Sequence, residues 1–181
     1  MPAHIALVGL PGSGKSTVGR HLARLVGRPF IDSDQVIERR IGVSIRDFFE
    51  QNGEEAFRDL EQEVIDDLTL GEPCVLASGG GAVLRTVNRQ HFYQRTQGIY
   101  LHSAPEEVFR RLRHDRNRPL LQVADPLARL QELYVLRDPL YRESARFVVE
   151  TGKPSVTALV NTVALLLEQA GVLPRDTALR R

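Results

Sequence analysis

The chain has one cysteine, Cys74. An intramolecular disulfide is therefore excluded, and the composition fits a reducing cytoplasm. Charge is nearly balanced, 24 basic residues against 23 acidic for a net +1. The whole-molecule field gives no argument for a nucleic-acid partner, and none is expected. Long apolar runs are missing too. The N-terminal "MPAHIALVGLPG" holds an apolar stretch too short for a signal or membrane segment, so no membrane association is expected. Repeats and low-complexity stretches are absent. The five histidines are scattered without metal spacing. Lysine is the scarcest charge: of the 24 basic residues only Lys15 and Lys153 are lysines, the other 22 being arginines.

What is there suits one compact soluble domain: 181 residues, 42% hydrophobic and 26% charged. The last residues, "LPRDTALRR", lack periodicity. The domain is expected to end near residue 172, with 173–181 a flexible tail.

One of the two lysines falls in "GLPGSGKS", Gly9 to Ser16, which fits the phosphate-binding pattern G-x-x-x-x-G-K-[ST]. Glycines let the backbone fold round phosphate oxygens with N–H groups pointing inward. A helix then starts, its positive end toward the anion. Gly12, Ser13, Gly14, Lys15, Ser16 and Thr17 are the candidate nucleotide ligands. Lys15 is a point charge for the β- and γ-phosphates, and the Ser16 hydroxyl can ligate Mg²⁺. The context agrees: "HIALVG" (4–9) reads as a strand, and Val18, Leu22, Leu25 and Val26 form a helix face. A GTPase would also need D-x-x-G and N-K-x-D, and a helicase or motor ATPase an apolar run ending in Asp-Glu. None of the three occurs.

Apolar strands recur at 29–32, 74–78, 99–103 and 147–150, with helical patterns at 54–69, 105–113, 126–136 and 155–169. That rhythm predicts an α/β fold, a five-stranded parallel sheet flanked by helices. Ligands of such sheets gather at the carboxyl ends of the strands, and each end here offers polar residues. After the second strand comes Asp32-Ser33-Asp34. Ser33 or Asp34 could simply cap a helix. As a pair, Asp32 can reach the Mg²⁺ held by Ser16, and Asp34 can accept a hydrogen bond from a hydroxyl awaiting phosphate. After the third strand come Gly79, Gly80 and Gly81, either a tight connection or a surface of bare N–H groups against a ligand. Asn52 and Glu55 form a plausible capping pair for the helix that carries Arg58. Arg58 itself can form a modest i,i+4 pair with Glu54. Arg137 has a similar surface reading. Five arginines crowd 110–118 without interleaved aromatics, and Arg118 precedes Pro119. An arginine-bearing loop beside a phosphate site is what a lid needs. Cys74 opens an apolar strand and reads as core.

Together "GLPGSGKST" (9–17), "DSD" (32–34), "GEEAFRDLE" (53–61), "SGGGAV" (78–83), "RPLL" (118–121) and "RDPLY" (137–141) resemble the shikimate kinase family, within the nucleoside-monophosphate-kinase-like P-loop proteins. The resemblance runs from about 4 to 170. It implies a single kinase domain over 1–172, with a mobile lid at about 112–124 and substrate-binding helices at about 33–61. It implies ATP and one Mg²⁺ per subunit, shikimate as the acceptor and a monomer. It implies transfer of the γ-phosphate to the shikimate 3-hydroxyl. Lys15, Asp34 and Arg118 fall at catalytic positions, and Asp34, Arg58, Gly79, Gly80, Gly81 and Arg137 at substrate positions. Arg58 and Arg137 clamp a carboxylate, which suits a planar fork. Ser16 and Asp32 fall at the metal positions. Arg111 and Pro154 sandwich the adenine, with Arg118 touching both ATP and substrate. The adenine loop "TGKP", with Lys153, looks shorter than in some relatives. The competing reading is a gluconate-type kinase, which has less use for two carboxylate-clamping arginines.

Overall fold

A computed structural model describes residues 3–113, 122–152 and 155–178. Five parallel strands, β1 (His4–Val8), β2 (Phe30–Asp32), β3 (Val75–Ala77), β4 (Thr96–His102) and β5 (Phe147–Glu150), lie in the order β2-β3-β1-β4-β5. The first strand is central and buried along its whole length, as a strand covered on both faces must be. Helices α1 (Lys15–Val26) and α7 (Val156–Gln169) cover one face through Val18, Leu22, Val163 and Leu167. The other face packs against α3 (Ile45–Leu70), α4 (Thr86–Arg95), α5 (Pro105–Leu112) and α6 (Pro126–Ser144), with Ile65, Phe92, Val108, Leu130 and Tyr141 in its core. A short helix, α2 (Ser33–Ile41), joins α3 over a separate small cluster of Ile37, Phe57 and Val64.

The expected strands and helices are present, with shifted ends. Helix α6 runs eight residues past the expected 136, through Pro139. A proline cannot donate to the carbonyl four residues back. That residue, Val135, is 75% exposed, so water can take the freed carbonyl. The expected Asn52–Glu55 capping pair does not form. Gly53, at φ 85°, breaks α3 into two segments, and the Asn52 amide donates instead to the carbonyl of Phe48 at 3.2 Å. The tail expected to be loose from 173 packs against α7 as far as it is described. Leu173 and Thr177 are buried, and the Ala178 amide donates to Glu168 at 2.6 Å. Cys74 is fully buried, and burial pushes its thiol up to about 11, as a core residue rather than a nucleophile requires.

The turn from α6 into β5 lies directly against Gly98 of β4. A Cβ there would stand 2.6 Å from the Ser144 carbonyl oxygen and 3.1 Å from the Ala145 Cα, both backbone. The Gly98 carbonyl also accepts from the Arg146 amide at 2.8 Å. Gly98→Ala is therefore expected to destabilise by about 1–3 kcal/mol, the usual cost of overpacking. In thermal unfolding followed by circular dichroism this is a drop of roughly 2–12 °C. An unchanged melting temperature would mean that the turn shifts freely.

Candidate active site

The carboxyl ends of the strands deliver the site residues. Beyond β1 the chain turns back at Ser13, whose amide donates to the Leu10 carbonyl at 3.1 Å. It enters α1 through Gly14, at φ 97°, a conformation that side chains resist. Buried Lys15 donates through Nζ to the carbonyls of Gly9 and Leu10, at 2.8 Å each. The ammonium is thus stationed inside the loop that would surround a phosphate.

Beyond β2, Asp32 divides its two oxygens. Oδ2 accepts from the Ser16 hydroxyl at 3.0 Å. Oδ1 accepts from the amides of Asp34 and Gln35, at 2.9 and 3.3 Å. Asp32 is therefore the residue that caps α2, not Ser33 or Asp34. Ser33, fully buried, instead accepts from the Gly79 amide at 3.0 Å. One of the three glycine N–H groups expected to be bare is consequently taken. The pair Ser16–Asp32 fits a magnesium ion: a hard cation takes oxygen ligands and keeps several waters. Among the described residues no group of three or more His, Cys, Asp or Glu could form a metal cage. Further ligands would then be phosphate oxygens and water.

Asp34 sits in the first turn of α2, beside the glycine loop. Burial first, and then the Asp32 carboxylate, push its carboxyl above the ordinary aspartate value of 3.8, while Lys15 and Arg58 pull it down. Glu61 lies behind it, 1% exposed. It accepts from Arg58 Nη1 at 2.7 Å. Burial still raises its pKa against the pull of Arg58, with Arg137 also lowering and Asp34 raising it. The expected Arg58–Glu54 pair exists at 3.6 Å, but the shorter bond goes to the buried partner. The Nε groups of Arg58 and Arg137 are both buried without a hydrogen-bond partner among the described residues.

The glycine loop lies close against these groups. A Cβ on Gly79 would stand 2.7 Å from Asp34 Oδ1 and 3.1 Å from Glu61 Oε2. On Gly80 it would stand 2.8 Å from the Pro11 ring, and on Gly81 2.6 Å from Arg58 Nη1. From the far side, the fully buried Tyr141 donates its phenol to the Gly80 carbonyl at 2.7 Å. Burial pushes that phenol up to about 12, and Arg137, one turn earlier on α6, opposes the shift by its charge and a hydrogen bond.

One cleft of about 420 Å³ gathers Gly12, Gly14, Lys15, Ser16, Thr17, Asp32, Asp34, Gly79, Gly80 and Arg111. Ser13 lines an adjoining slot of about 250 Å³ that shares Gly14, Thr17 and Arg111. Arg58 and Arg137 meet the same site through Glu61 and Gly81. Arg118, Lys153 and Pro154 lie outside the described residues. Sequence reasoning assigns no task to Glu61 or Tyr141, and to Ser33 only that of a helix cap. The i,i+3 spacing of Arg58 and Glu61 was a readable signal, since such residues are neighbours on a helix.

The raised Asp34 pKa makes its ionised form a net cost to the empty fold. Below the ordinary aspartate value both folded and unfolded chains hold the proton and the cost is absent. As pH rises through the folded pKa, stability is lost. Asp34→Asn is thus expected to raise the melting temperature of the ligand-free protein at neutral pH. The gain should vanish below about pH 3.8. Melting curves across pH that give the two proteins equal stability at neutral pH would contradict this.

Comparison with known proteins places this geometry. The family model described as shikimate kinase matches residues 11–168. Shikimate kinase of Paracidovorax citrulli is 61% identical over 174 residues, covering 94% of each chain. That of Ralstonia nicotianae is 53% identical over 171 residues, covering 94% of this chain and 90% of its own. A solved structure of shikimate kinase from Acinetobacter baumannii in complex with shikimate superposes with a TM-score of 0.89 at 44% identity. It covers 94% of this chain and 95% of that one. A five-stranded parallel sheet, a P-loop and this degree of identity over nearly the whole chain make it a member of the shikimate kinase family, with the nucleoside-monophosphate-kinase-like fold.

Proposed function

We propose that this chain transfers the γ-phosphate of ATP to the 3-hydroxyl of shikimate, giving shikimate 3-phosphate and ADP. The observation that carries the reading is the one cleft lined by Lys15, the Ser16–Asp32 pair, Asp34 and the Gly79–Gly80 backbone. Phosphoryl transfer asks a protein mainly for positioning and for charge placed where charge develops. In this reading Gly12 to Thr17 bind the phosphates through backbone N–H groups, and Lys15 stabilises the charge moving to the leaving oxygens. Ser16 and Asp32 hold one Mg²⁺, which when bound neutralises phosphate charge. Asp34 accepts the proton of the acceptor hydroxyl; its raised pKa brings it nearer the working range of a general base. Arg58 and Arg137 grip the shikimate carboxylate, a reading supported by their buried Nε groups, neither of which has a hydrogen-bond partner among the described residues, while Gly79 to Gly81 lie against its ring. Arg111 and Pro154 enclose the adenine. A lid over about 112–124 brings Arg118 to the transferring group and excludes water, while the helices at about 33–61 bind the substrate. The protein acts as a cytoplasmic monomer with no nucleic-acid or membrane partner, a placement supported by the buried free thiol of Cys74.

The test is ADP release with shikimate, quinate, gluconate and nucleoside monophosphates as acceptors, with shikimate expected to lead. Arg58→Lys or Arg137→Lys should weaken shikimate binding by about 1–3 kcal/mol, since a point charge cannot reproduce a bidentate grip. ATP affinity should change little. Equal losses for both ligands in calorimetry would count against the clamp. Asp32→Asn keeps a good helix cap but should raise the Mg²⁺ concentration at half-maximal rate. An unshifted Mg²⁺ titration would remove Asp32 from the metal.

A further inference from the structure

Ser103 and Thr151 are the first residues beyond β4 and β5, and both are buried, at 1% and 3% exposure. The Thr151 amide donates to the His102 carbonyl at 3.0 Å, carrying the strand pairing one step past its end. Its hydroxyl meets the Ser103 hydroxyl, lies 3.2 Å from the His102 carbonyl, and lies 3.4 Å from Glu107. Arg111 closes the cluster. Its Nη2 donates to both the carbonyl and the hydroxyl oxygen of Thr151, at 3.2 Å each. Its Nη1 reaches the Ser13 carbonyl at 3.4 Å.

Guanidinium donors lie in the plane of the group. Bonds at its edge therefore fix the plane and leave a face free for stacking. The Arg111 side chain keeps 39% of its surface exposed, and it lines the slot of about 250 Å³ together with Val18, Val156 and Leu159. A flat cation opposite an apolar wall suits a planar ring.

We infer that Thr151, seated on Ser103, is a positioning residue for nucleotide binding: it orients Arg111 so that the guanidinium face meets the nucleobase. The inference rests on the reading that Arg111 contacts adenine. Without the hydroxyl, Nη2 keeps the Thr151 carbonyl and a 3.6 Å pair with Glu107, and Nη1 keeps the Ser13 carbonyl and the Ser103 hydroxyl at 3.4 and 3.5 Å, so the plane loses one of its two shortest anchors and is held less firmly.

The experiment titrates ADP by calorimetry and measures KM for ATP and shikimate in Thr151→Val, Thr151→Ser and Ser103→Ala. Thr151→Val should weaken ADP about tenfold, the scale of a hydrogen bond to a charged group. Shikimate KM should stay within about twofold, and kcat at saturating ATP within about threefold, because the lost contact is equal in ground and transition states. Thr151→Ser, which keeps the hydroxyl, should restore ADP binding to within about threefold. In an Arg111→Ala background Thr151→Val should add nothing further, as residues acting through one another do. Full additivity in that background overturns the inference while leaving the adenine reading intact. Normal ADP binding by Arg111→Ala overturns both. Should Thr151→Val fail to fold, Ser103→Ala carries the same expectation, and unchanged ADP affinity there overturns the inference.

Discussion

Three carboxylates, Asp32, Asp34 and Glu61, are held within one small volume, and their mutual repulsion is the constraint around which the site is arranged. Burial strengthens every electrostatic term there, favourable or not. Glu61 would be untenable without Arg58 at 2.7 Å, and Asp34 feels the charges of both Lys15 and Arg58. The cations draw their own positions from the carboxylates: Arg58 is drawn from its exposed partner Glu54 toward the buried Glu61. Removing either member of such a pair leaves a buried charge unmatched, which costs more than the pair contributes. The helices α2 and α3 that carry these groups are accordingly tied to one another by charge as well as by the small apolar cluster of Ile37, Phe57 and Val64.

Asp32 shows how few groups do this. One oxygen serves the first turn of α2 and the other serves Ser16 at the start of α1. The two helix N-termini are thereby set in fixed relation by one carboxylate, and Asp34 inherits its place from that relation. In the sequence Asp32 reads as a metal ligand, and capping falls to its neighbours. The division by oxygen atom is invisible in letters, because a carboxylate's two acceptors are not separate residues.

Other parts were legible to different degrees for definite reasons. The phosphate loop could be read from eight residues because its function lies in backbone conformation, which glycines at fixed spacing dictate. The parallel sheet followed from strand runs alternating with helical periods. The strand order did not, since pairing between strands leaves no mark on either sequence. Ser33 and Tyr141 escaped for the same reason. Their partners in the glycine loop lie 46 and 61 residues away. Helix α4 was hard to see because its apolar contribution to the core is essentially Phe92 alone. The tail beyond 172 looked loose because its anchor is a side chain on another element, Glu168.

The glycine triplet has a consequence of scale. On one side of Gly80 lies the ring of Pro11, and on the other the phenol of Tyr141. On either side of it along the chain, Gly79 is flush with Asp34 and Gly81 with Arg58. The loop thus meets the carboxylate, the proline and the guanidinium with a single thickness of bare peptide and no side chain between. That thickness is a covalent dimension, set by bond lengths that do not vary with sequence or temperature. How closely Asp34, Pro11 and Arg58 can draw in around the loop is therefore set by the backbone itself, and a side chain at any of the three positions would push them away.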